Sequence, residues 1–425
     1  MTETFPPANF IPTASAVEGI EVYLPAPAQA APHQVEVDFK CPQCGATTAY
    51  SAADGGLTCS HCGYFQPPSG PAVGKRADEF EFTVETMARA AQGWGQERKE
   101  MACQNCGALT SLPAESLTNT CAFCGSNKVI QRQAPQDVLR PRFLVPFKLE
   151  AATCGQVARQ WLGSSWMTPA SLQKAAALAN FTPIYLPFWT FDAICSAAWK
   201  AEVGHPKTER YFENGEWKER TVTEWRWESG QVRLTIDDLT VPGTARLSAL
   251  LLGKILDFDL RALAAYEADY LAGLQAQSYD IPLEQAWETG RQQMREQTRQ
   301  ACVAQASTAQ VRNLNMNLDF SEESWRYILL PVYLNTYRYE DKTYQVMVNG
   351  QTGSVAGQRP VDWTKVVLVL AGLLSPGVLL MLVGLATVAL AGIGVGIAGF
   401  GFLVFILGFV IGSIILMQAY KLDDA

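Results

Sequence analysis

The pattern of apolar and polar residues divides the chain into a soluble part and an apolar end. Residues 1–365 mix charged, polar and apolar positions, whereas residues 366–420 contain no charged residue. One helix of that length would far exceed the roughly 30 Å hydrocarbon core of a bilayer. Two spans fit, at about 366–389 and 395–418, joined at "AGIG". The sequence therefore predicts a transmembrane hairpin, whose small-residue pairs Gly392/Gly396 and Gly408/Gly412 allow close helix packing.

The middle of the chain, residues 140–360, predicts an α+β domain that is predominantly antiparallel. Three similar apolar runs, "RFLVPFKL", "IYLPFWTF" and "ILLPVYLN", each contain a proline, which favours edge strands or bulges. Asn214-Gly215 lies between two β-rich segments and predicts a hairpin turn. Helices are expected near 154–162, 169–179, 260–274 and 282–306.

A repeated cysteine pattern precedes this domain. "CPQCGATTAYSAADGGLTCSHCG" begins at residue 41, and "CQNCGALTSLPAESLTNTCAFCG" begins at residue 103; both read C-x2-C-x14-C-x2-C. Two residues between cysteines let a tight turn aim both sulfurs at one point, and the following glycine permits the turn. The predicted metal ligands are Cys41, Cys44, Cys59, Cys62 in ribbon 1 and Cys103, Cys106, Cys121, Cys124 in ribbon 2.

Energetics favour a structural metal at each quartet. Ordering about 22 residues costs on the order of 30 kcal/mol of conformational entropy, and few apolar side chains offset it. A four-cysteine zinc site contributes on the order of 10–16 kcal/mol and leaves no open coordination position for catalysis. The alternative, a redox Cys-x-x-Cys pair, normally brings one pair beside a βαβ unit. We therefore expect two structural Zn²⁺ ions, in ribbons at 38–66 and 101–130 joined by a linker at 67–100.

Composition and cysteine usage favour a reducing compartment. The chain has 425 residues, 11 cysteines and a net charge of −8. Its first Lys or Arg is Lys40, so the amino terminus has no positively charged n-region of a secretory signal. Residues 1–37 are rich in proline and alanine and predict a disordered leader. Because a secreted disulfide scaffold needs an export signal, we expect reduced cysteines in the cytosol.

The charge on the ribbons disfavours nucleic-acid binding. Neither ribbon carries a Lys or Arg between its first and last cysteine, and a four-thiolate zinc site has a charge of about −2. Most affinity for nucleic acid comes from cations that meet phosphates. The alternative function, a membrane-tethered nucleic-acid-binding regulator, would use the cations that follow ribbon 2: Lys128, Arg132, Arg140 and Arg142.

The remaining polar and sulfur residues predict no catalytic constellation. Cys154, Cys195 and Cys302 are isolated and are interpreted as buried small residues. Asp237 and Asp238 are adjacent, so a strand would place them on opposite faces, and a surface turn is the expected setting. The tryptophans at 217, 225 and 227 alternate on predicted strands and are expected to pack. We therefore expect a protein that is not an enzyme.

Several stretches resemble a bacterial family of double zinc-ribbon (TFIIB-type) membrane proteins, which includes the Bacillus-type YdjG proteins. They are "GWG" before ribbon 2, "LVPFKL", "YLPFWTFDA", "YLAGLQAQSYDIPLEQAW", "LLPVYLNTYRYEDKTYQVMVNGQTGSVAGQRP" and the apolar end, and together they run from about residue 38 to 418. The resemblance implies a membrane scaffold that works with SPFH or phage-shock-like membrane proteins, and it supplies no catalytic residues.

These observations predict a membrane-anchored cytoplasmic zinc-ribbon adaptor that binds a protein partner. Arg359 and Lys365 precede the apolar hairpin and Lys421 follows it, so the positive-inside bias places both termini in the cytoplasm of a bacterial inner membrane. The glycine-rich hairpin also allows a homo-oligomer through the membrane.

Overall fold

The computed structural model describes residues 10–13, 22–25, 39–68, 73–74, 80–81, 94, 98–113, 120–134, 138–173, 181–340, 342–387 and 393–423. The helices are α1 (Ala151–Gly163), α2 (Ala170–Gln173), α3 (Ala249–Gly253), α4 (Leu283–Gln305), α5 (Trp363–Ala386) and α6 (Ile393–Asp423), with 3-10 turns at Leu260–Ala262 and Ala268–Leu271.

The strands before the middle domain are β1 (Phe10–Thr13), β2 (Val22–Pro25), β3 (Thr48–Ser51), β4 (Gly56–Cys59), β5 (Phe65–Gln66), β6 (Phe80–Glu81), β7 (Arg98–Cys103), β8 (Leu109–Pro113) and β9 (Val129–Gln133). Those within it are β10 (Phe143–Leu144), β11 (Thr182–Glu213), β12 (Glu216–Pro242), β13 (Ala264–Ala265), β14 (Gln275–Gln277), β15 (Val311–Tyr339), β16 (Lys342–Asn349) and β17 (Val355–Gly357).

One large, mostly antiparallel sheet organises the molecule. Its path is β13-β10-β15-β11-β14-β8-β7-β9, and β12, β16, β17 and β6 pair beside that path. Only β10–β15 and β11–β14 pair in parallel among the described strands. The α+β class with predominantly antiparallel strands is confirmed. Ribbon 2 is part of this sheet through β7, β8 and β9, whereas ribbon 1 forms its own three-stranded sheet, β3-β4-β5.

The centre of the sheet is buried on both faces. Along β11, Tyr185, Trp189 and Phe191 point into one core with α1 and α4, and Ile184 and Phe188 point into the other with α3 and ribbon 2. A strand covered on both faces reads as a continuous apolar run, which explains "IYLPFWTF" and "ILLPVYLN". The prediction that these runs are edge strands is wrong for β11 and β15.

Two prolines are tolerated in these central strands because each lies where one partner strand gives way to the next. Pro187 pairs with Leu329 on one side; on the other side β14 ends at Tyr185 and β12 begins at Phe188. There the Gly243 N–H donates to the Pro187 carbonyl at 2.8 Å. Pro331 repeats the arrangement between β10 and β16, with the Gly350 N–H 2.9 Å from its carbonyl. The missing proline N–H therefore breaks no ladder.

The hairpin of β11 and β12 extends as a two-stranded arm. The predicted turn at Asn214-Gly215 is confirmed, with φ of 53° and 83° as the primed hairpin turn requires. Phe212 and Trp217 pair directly across the tip, their ring centroids 5.3 Å apart, and are 61% and 72% exposed. The 32 residues of β11 span about 100 Å of strand path at roughly 3.3 Å each.

The start of α5 lies at the opposite end of the sheet from the arm tip. Gly357 of β17 pairs with Val346, which pairs with Asn335 of β15, and the neighbouring Leu334 pairs with Thr182 at the start of β11. The segment from Gly357 to α5 is only a few residues long. The arm tip is thus separated from the start of α5 by nearly the full length of β11.

The apolar end forms two antiparallel helices, α5 and α6, each long and apolar enough to cross a membrane. Glycines let them approach: a Cβ on Gly377 would lie 2.6 Å from the Phe405 nitrogen, and one on Gly408 would lie 2.6 Å from the Leu373 oxygen. Gly396 meets nothing within 4 Å, so its expected role in packing is wrong. Gly392 and the first half of "AGIG" lie outside the described residues.

Three other expectations need correction or limitation. The helix expected at 260–274 is instead two 3-10 turns around β13. Within the leader, β1 pairs with β2, although its composition predicts no regular structure. The helix expected at 169–179 is described only as α2, since residues 174–180 lie outside the described part, whereas α1 and α4 match their predicted positions.

Candidate metal centres

The structure brings the eight repeated cysteines together in two groups of four. Within each group the sulfur atoms all lie within 4.8 Å of one another. In each pair a glycine at positive φ closes the turn, and its N–H donates to the first cysteine's carbonyl, as from Gly45 to Cys41 at 2.8 Å and from Gly107 to Cys103 at 2.8 Å. The local sequence therefore suffices to aim each pair of sulfurs.

The sulfur spacing fits a tetrahedral metal. Cys41 and Cys62 Sγ are 3.4 Å apart, and Cys44 and Cys59 Sγ are 3.6 Å apart. In ribbon 2 the Cys103–Cys124 and Cys106–Cys121 separations are 3.6 and 3.7 Å. A tetrahedron with metal–sulfur bonds of about 2.3 Å has edges of about 3.8 Å, whereas a disulfide needs about 2.05 Å. Both groups can hold a metal ion, and all eight cysteines are free thiols.

Backbone N–H groups favour the thiolate form at one cysteine of each ribbon. The N–H groups of Cys62 and His61 lower the pKa of Cys59 to about 6, against the opposing effect of desolvation. Burial raises the pKa of Cys103, but the N–H groups of Cys106 and Asn105 and the neighbouring thiols lower it to about 7. Because metals bind the thiolate, these amides prepare the sulfurs for ligation.

Ribbon 2 is held from both sides by polar side chains of the α+β domain. Arg246 Nη1 donates to the Cys106 carbonyl at 2.9 Å, and Asp280 binds the Arg246 Nε at 3.2 Å. At the other pair, Thr336 Oγ1 and Gln345 Nε2 both donate to the Phe123 carbonyl, at 2.9 and 2.5 Å. These residues lie more than 100 positions after the cysteines they support, and no sequence signal identified them.

Ribbon 1 is more exposed but is also docked. Cys44 and Cys62 are exposed, whereas Cys106 and Cys124 of ribbon 2 are half-buried. Tyr50 of β3 is 9% exposed in the main core, and its N–H donates to the Ala272 carbonyl at 3.2 Å. Ribbon 1 is therefore held against the α+β domain and does not depend on the predicted linker alone for its position.

The segment after ribbon 1 is also attached to the α+β domain. The N–H groups of Val73 and Gly74 bind the Leu263 carbonyl at 2.8 and 2.9 Å. The rest of the predicted linker at 67–100 is described only in part.

A group of three aspartates differs from its prediction. Asp192, Asp237 and Asp238 have carboxylate oxygens within 4.8 Å of one another. The pairing of β11 with both neighbours shifts at Asp192, and Asp238 has a φ of 58°, so the two adjacent aspartates come together instead of facing opposite sides. Arg326, 1% exposed, forms ion pairs with Asp238 and Asp192. The expected surface turn is instead a bulge with an internal ion-pair network.

Other predicted residues fall in different settings. Cys154, Cys195 and Cys302 are fully buried, and burial raises the pKa of each thiol, as expected for small core residues. Trp217 and Trp227 are 72% and 57% exposed, so the expectation that they pack in the core is wrong for these two.

Of the four cations predicted for nucleic-acid binding, two are exposed, Lys128 and Arg132. Arg132 Nε lies 2.6 Å from Glu100, whose side chain is 1% exposed, so its charge is paired. Arg140 and Arg142 are half-buried, and Lys128 is exposed.

Comparison with known proteins gives a relative of unknown function. No family model and no solved structure matches the chain. The uncharacterized protein YdjG of Bacillus subtilis (strain 168) is 27% identical over 335 residues, which cover 78% of this chain and 92% of YdjG. This similarity and the two four-cysteine groups confirm the resemblance to YdjG-like double zinc-ribbon proteins.

Proposed function

We propose that this YdjG-like chain is a membrane-anchored cytoplasmic adaptor, without catalytic activity, whose zinc ribbons bind a protein partner. The carrying observation is that two closed four-sulfur groups are fixed to one sheet domain that continues into a pair of membrane-capable helices. Such an arrangement presents rigid surfaces at a membrane.

Zinc is the metal that suits both groups. Four thiolates in a tetrahedral arrangement are a structural zinc set, and they leave no position for a substrate or an activated water. Each ion stabilises a small β-ribbon that has little core of its own. The ligands are the eight cysteines in two groups of four.

The anchor is the α5–α6 pair, which crosses the bacterial inner membrane twice. An even number of spans returns the chain to its starting side, so both termini share a compartment. Arg359 and Lys365 flank the start of α5 and Lys421 lies near the end of α6, which favours the cytoplasm for that side. Zinc-binding thiols agree with that reducing compartment.

Ribbon 1 is the better docking surface for the partner. One cysteine of each pair, Cys44 and Cys62, is exposed, and Phe65 of β5 is 44% exposed. No Lys or Arg lies between Cys41 and Gln66, so a phosphate backbone would meet net negative charge. The resemblance suggests partners of the SPFH or phage-shock-like class, and the exposed faces of the helices allow self-association.

The nucleic-acid alternative receives no support from a specific contact. Among its four cations, Arg132 is paired with Glu100 and two others are half-buried. A steep loss of DNA affinity with rising salt would revive it.

Crosslinked co-purification from native membranes tests the adaptor function. We compare wild type with Phe65→Asp, which changes the exposed aromatic of ribbon 1, and with Phe212→Asp, a matched exposed aromatic at the arm tip. We expect Phe65→Asp to lose the partner while retaining two zinc ions per chain, and Phe212→Asp to retain it. Recovery of the same partner with Phe65→Asp, or its loss only with Phe212→Asp, would show that ribbon 1 is not the docking surface.

A further inference from the structure

The loop between α1 and α2 is attached to the base of the membrane-capable hairpin. The Asp362 N–H donates to the Met167 carbonyl at 2.7 Å, and Lys365 Nζ donates to the Thr168 carbonyl at 3.0 Å. These two bonds come from residues on either side of Trp363, where α5 begins. The loop therefore lies at the level where the chain enters its charge-free stretch.

Side-chain packing also places the loop at the ends of the charge-free stretch. Met167 is 3% exposed and forms a small cluster with Val361, Val366 and Ala419. Val366 is the first residue of the charge-free stretch, and Ala419 is close to its end. The Trp363 and Tyr420 rings lie beside this cluster with centroids 5.1 Å apart. Paired aromatics at the ends of spanning helices mark the bilayer–water interface.

The same loop exposes an aromatic side chain. Met167 N–H donates to Ser165 Oγ at 3.3 Å and Thr168 N–H to the Ser165 carbonyl at 3.2 Å, so Trp166 lies at the corner of a turn. Trp166 is 48% exposed, although its neighbour Met167 is buried against the helices. An exposed tryptophan at this level has its apolar ring and its N–H suited to the headgroup region.

Charge around the loop suits an anionic lipid surface. Residues 151–173 contain no Asp or Glu and one cation, Arg159, and the nearby carboxylate of Asp362 is paired with Lys365 Nζ at 3.4 Å. The Arg359 guanidinium stacks over the Trp161 ring at 3.8 Å and joins the end of α1 to the segment before α5. Cations near a bilayer are attracted to its anionic headgroups, whereas acidic residues would be repelled.

We propose that the 164–169 loop is a membrane-contact site, in which Trp166 inserts into the headgroup region of the bilayer that α5 and α6 cross. This rests on the anchoring part of the proposed function and is independent of any ribbon partner. The loop is expected to contact lipid, because it is continuous with the base of the helices. The contact fixes the α+β domain against the membrane surface instead of leaving it to swing on the short segment before α5.

Site-specific photocrosslinking tests the site in the full chain. Benzoylphenylalanine replaces Trp166, and the protein is reconstituted in vesicles of phosphatidylethanolamine and phosphatidylglycerol. Trp217 is the matched control, since it is an exposed tryptophan of β12 at the arm tip. Leu379, 60% exposed on α5, is the positive control for anchoring. Lipid adducts are identified by mass spectrometry.

We expect lipid adducts at positions 166 and 379 and none at 217. An adduct at 379 without one at 166, or a crosslink from 166 to a second chain, would overturn the loop proposal and leave the anchor intact. Absence of lipid at both 166 and 379 would overturn the anchor as well. Equal lipid adducts at 166 and 217 would show contact without a site and would also overturn the proposal.

Discussion

At the scale of single residues, ribbon 2 depends on side chains that its own sequence does not contain. Arg246 reaches the Cys106 carbonyl, and its contact is close enough that a Cβ on Gly107 would lie 3.2 Å from the guanidinium. A cation at this position also offsets part of the negative charge of four thiolates around a divalent metal. Support for the metal group therefore comes from the α+β domain.

Arg246→Ala should weaken ribbon 2 and leave ribbon 1 unchanged. Loss of a charge-assisted hydrogen bond to a knuckle carbonyl costs about 2 kcal/mol, so zinc should leave ribbon 2 up to about 30-fold faster. The measurement is chelator-driven zinc release followed over time. Arg261→Ala is the control, because Arg261 is exposed and pairs with the neighbouring Asp259. Equal release rates for the two variants would contradict a supporting role for Arg246.

The metal ligands could be predicted from the sequence, but their support could not. Cys41 and Cys44 are two residues apart, and the turn between them is decided by a glycine in the same segment. Thr336 and Gln345 donate hydrogen bonds to the Phe123 carbonyl from more than 200 positions later in the chain. The strand order of the whole sheet determines that these segments lie together. The three aspartates illustrate the same limit, since a bulge rather than ideal strand geometry brings Asp237 and Asp238 together.

At the scale of elements, α5 and α6 pack because backbone approaches backbone at glycines. Gly377→Val should separate the helices, since its Cβ would lie 2.6 Å from the Phe405 nitrogen, and overpacking typically costs about 1–3 kcal/mol. Gly372→Val is the control in the same helix, because its Cβ would meet nothing within 4 Å. Thermal unfolding in detergent micelles should show a lower midpoint for Gly377→Val alone. A similar shift in both variants would indicate an effect of β-branching rather than of helix packing.

The arm should be dispensable for folding of the rest. Its outer residues are largely exposed on both faces, and ion pairs among them, such as Arg210–Glu219 and Arg220–Glu209, join its two strands. Exposed pairs of this kind contribute little stability. Replacing residues 208–221 by Asn-Gly should shift the thermal midpoint by no more than about 2 °C. Loss of folding, seen by circular dichroism, would show that the arm stabilises the domain.

The local sequence pattern predicts most of the long helices and strands. It fails where neighbouring strands determine the position of a segment in the sheet. The 3.6-residue period predicts α4, and Asn214-Gly215 predicts the arm's turn, because both signals are local. An internal proline favours an edge strand when only its own strand is considered. Pro187 and Pro331 are central because other segments leave a gap opposite each missing N–H, which no local pattern records.

At the scale of the whole molecule, two four-cysteine groups and a pair of membrane-capable helices belong to a single connected unit. Purified protein should contain two zinc ions per chain by elemental analysis, since each group has a complete set of four sulfurs. The Cys44→Ser variant should contain fewer zinc ions, whereas Cys154→Ser, a buried cysteine outside both groups, should retain two. Zinc-free protein with disulfides would contradict both the metal and the cytoplasmic location.

Protease treatment of intact spheroplasts tests the orientation of the protein in the membrane. Protease added outside spheroplasts should leave the ribbons and the α+β domain intact, because the proposed topology places them inside. Lysed spheroplasts are the control and should show cleavage at exposed segments such as the arm. Degradation of the ribbons before lysis would reverse the orientation.

The residue-by-residue pairing of β11 with β12 restricts how the length of the arm can change. Phe212 and Trp217 are directly opposite, so both rings share one face of the hairpin. Adding one residue to each strand would carry the tip about 3.3 Å farther and turn both rings to the other face, and adding two would restore them. A partner that binds one face of the tip would therefore tolerate only changes of an even number of residues in each strand. Each such change alters the length of the arm by about 7 Å.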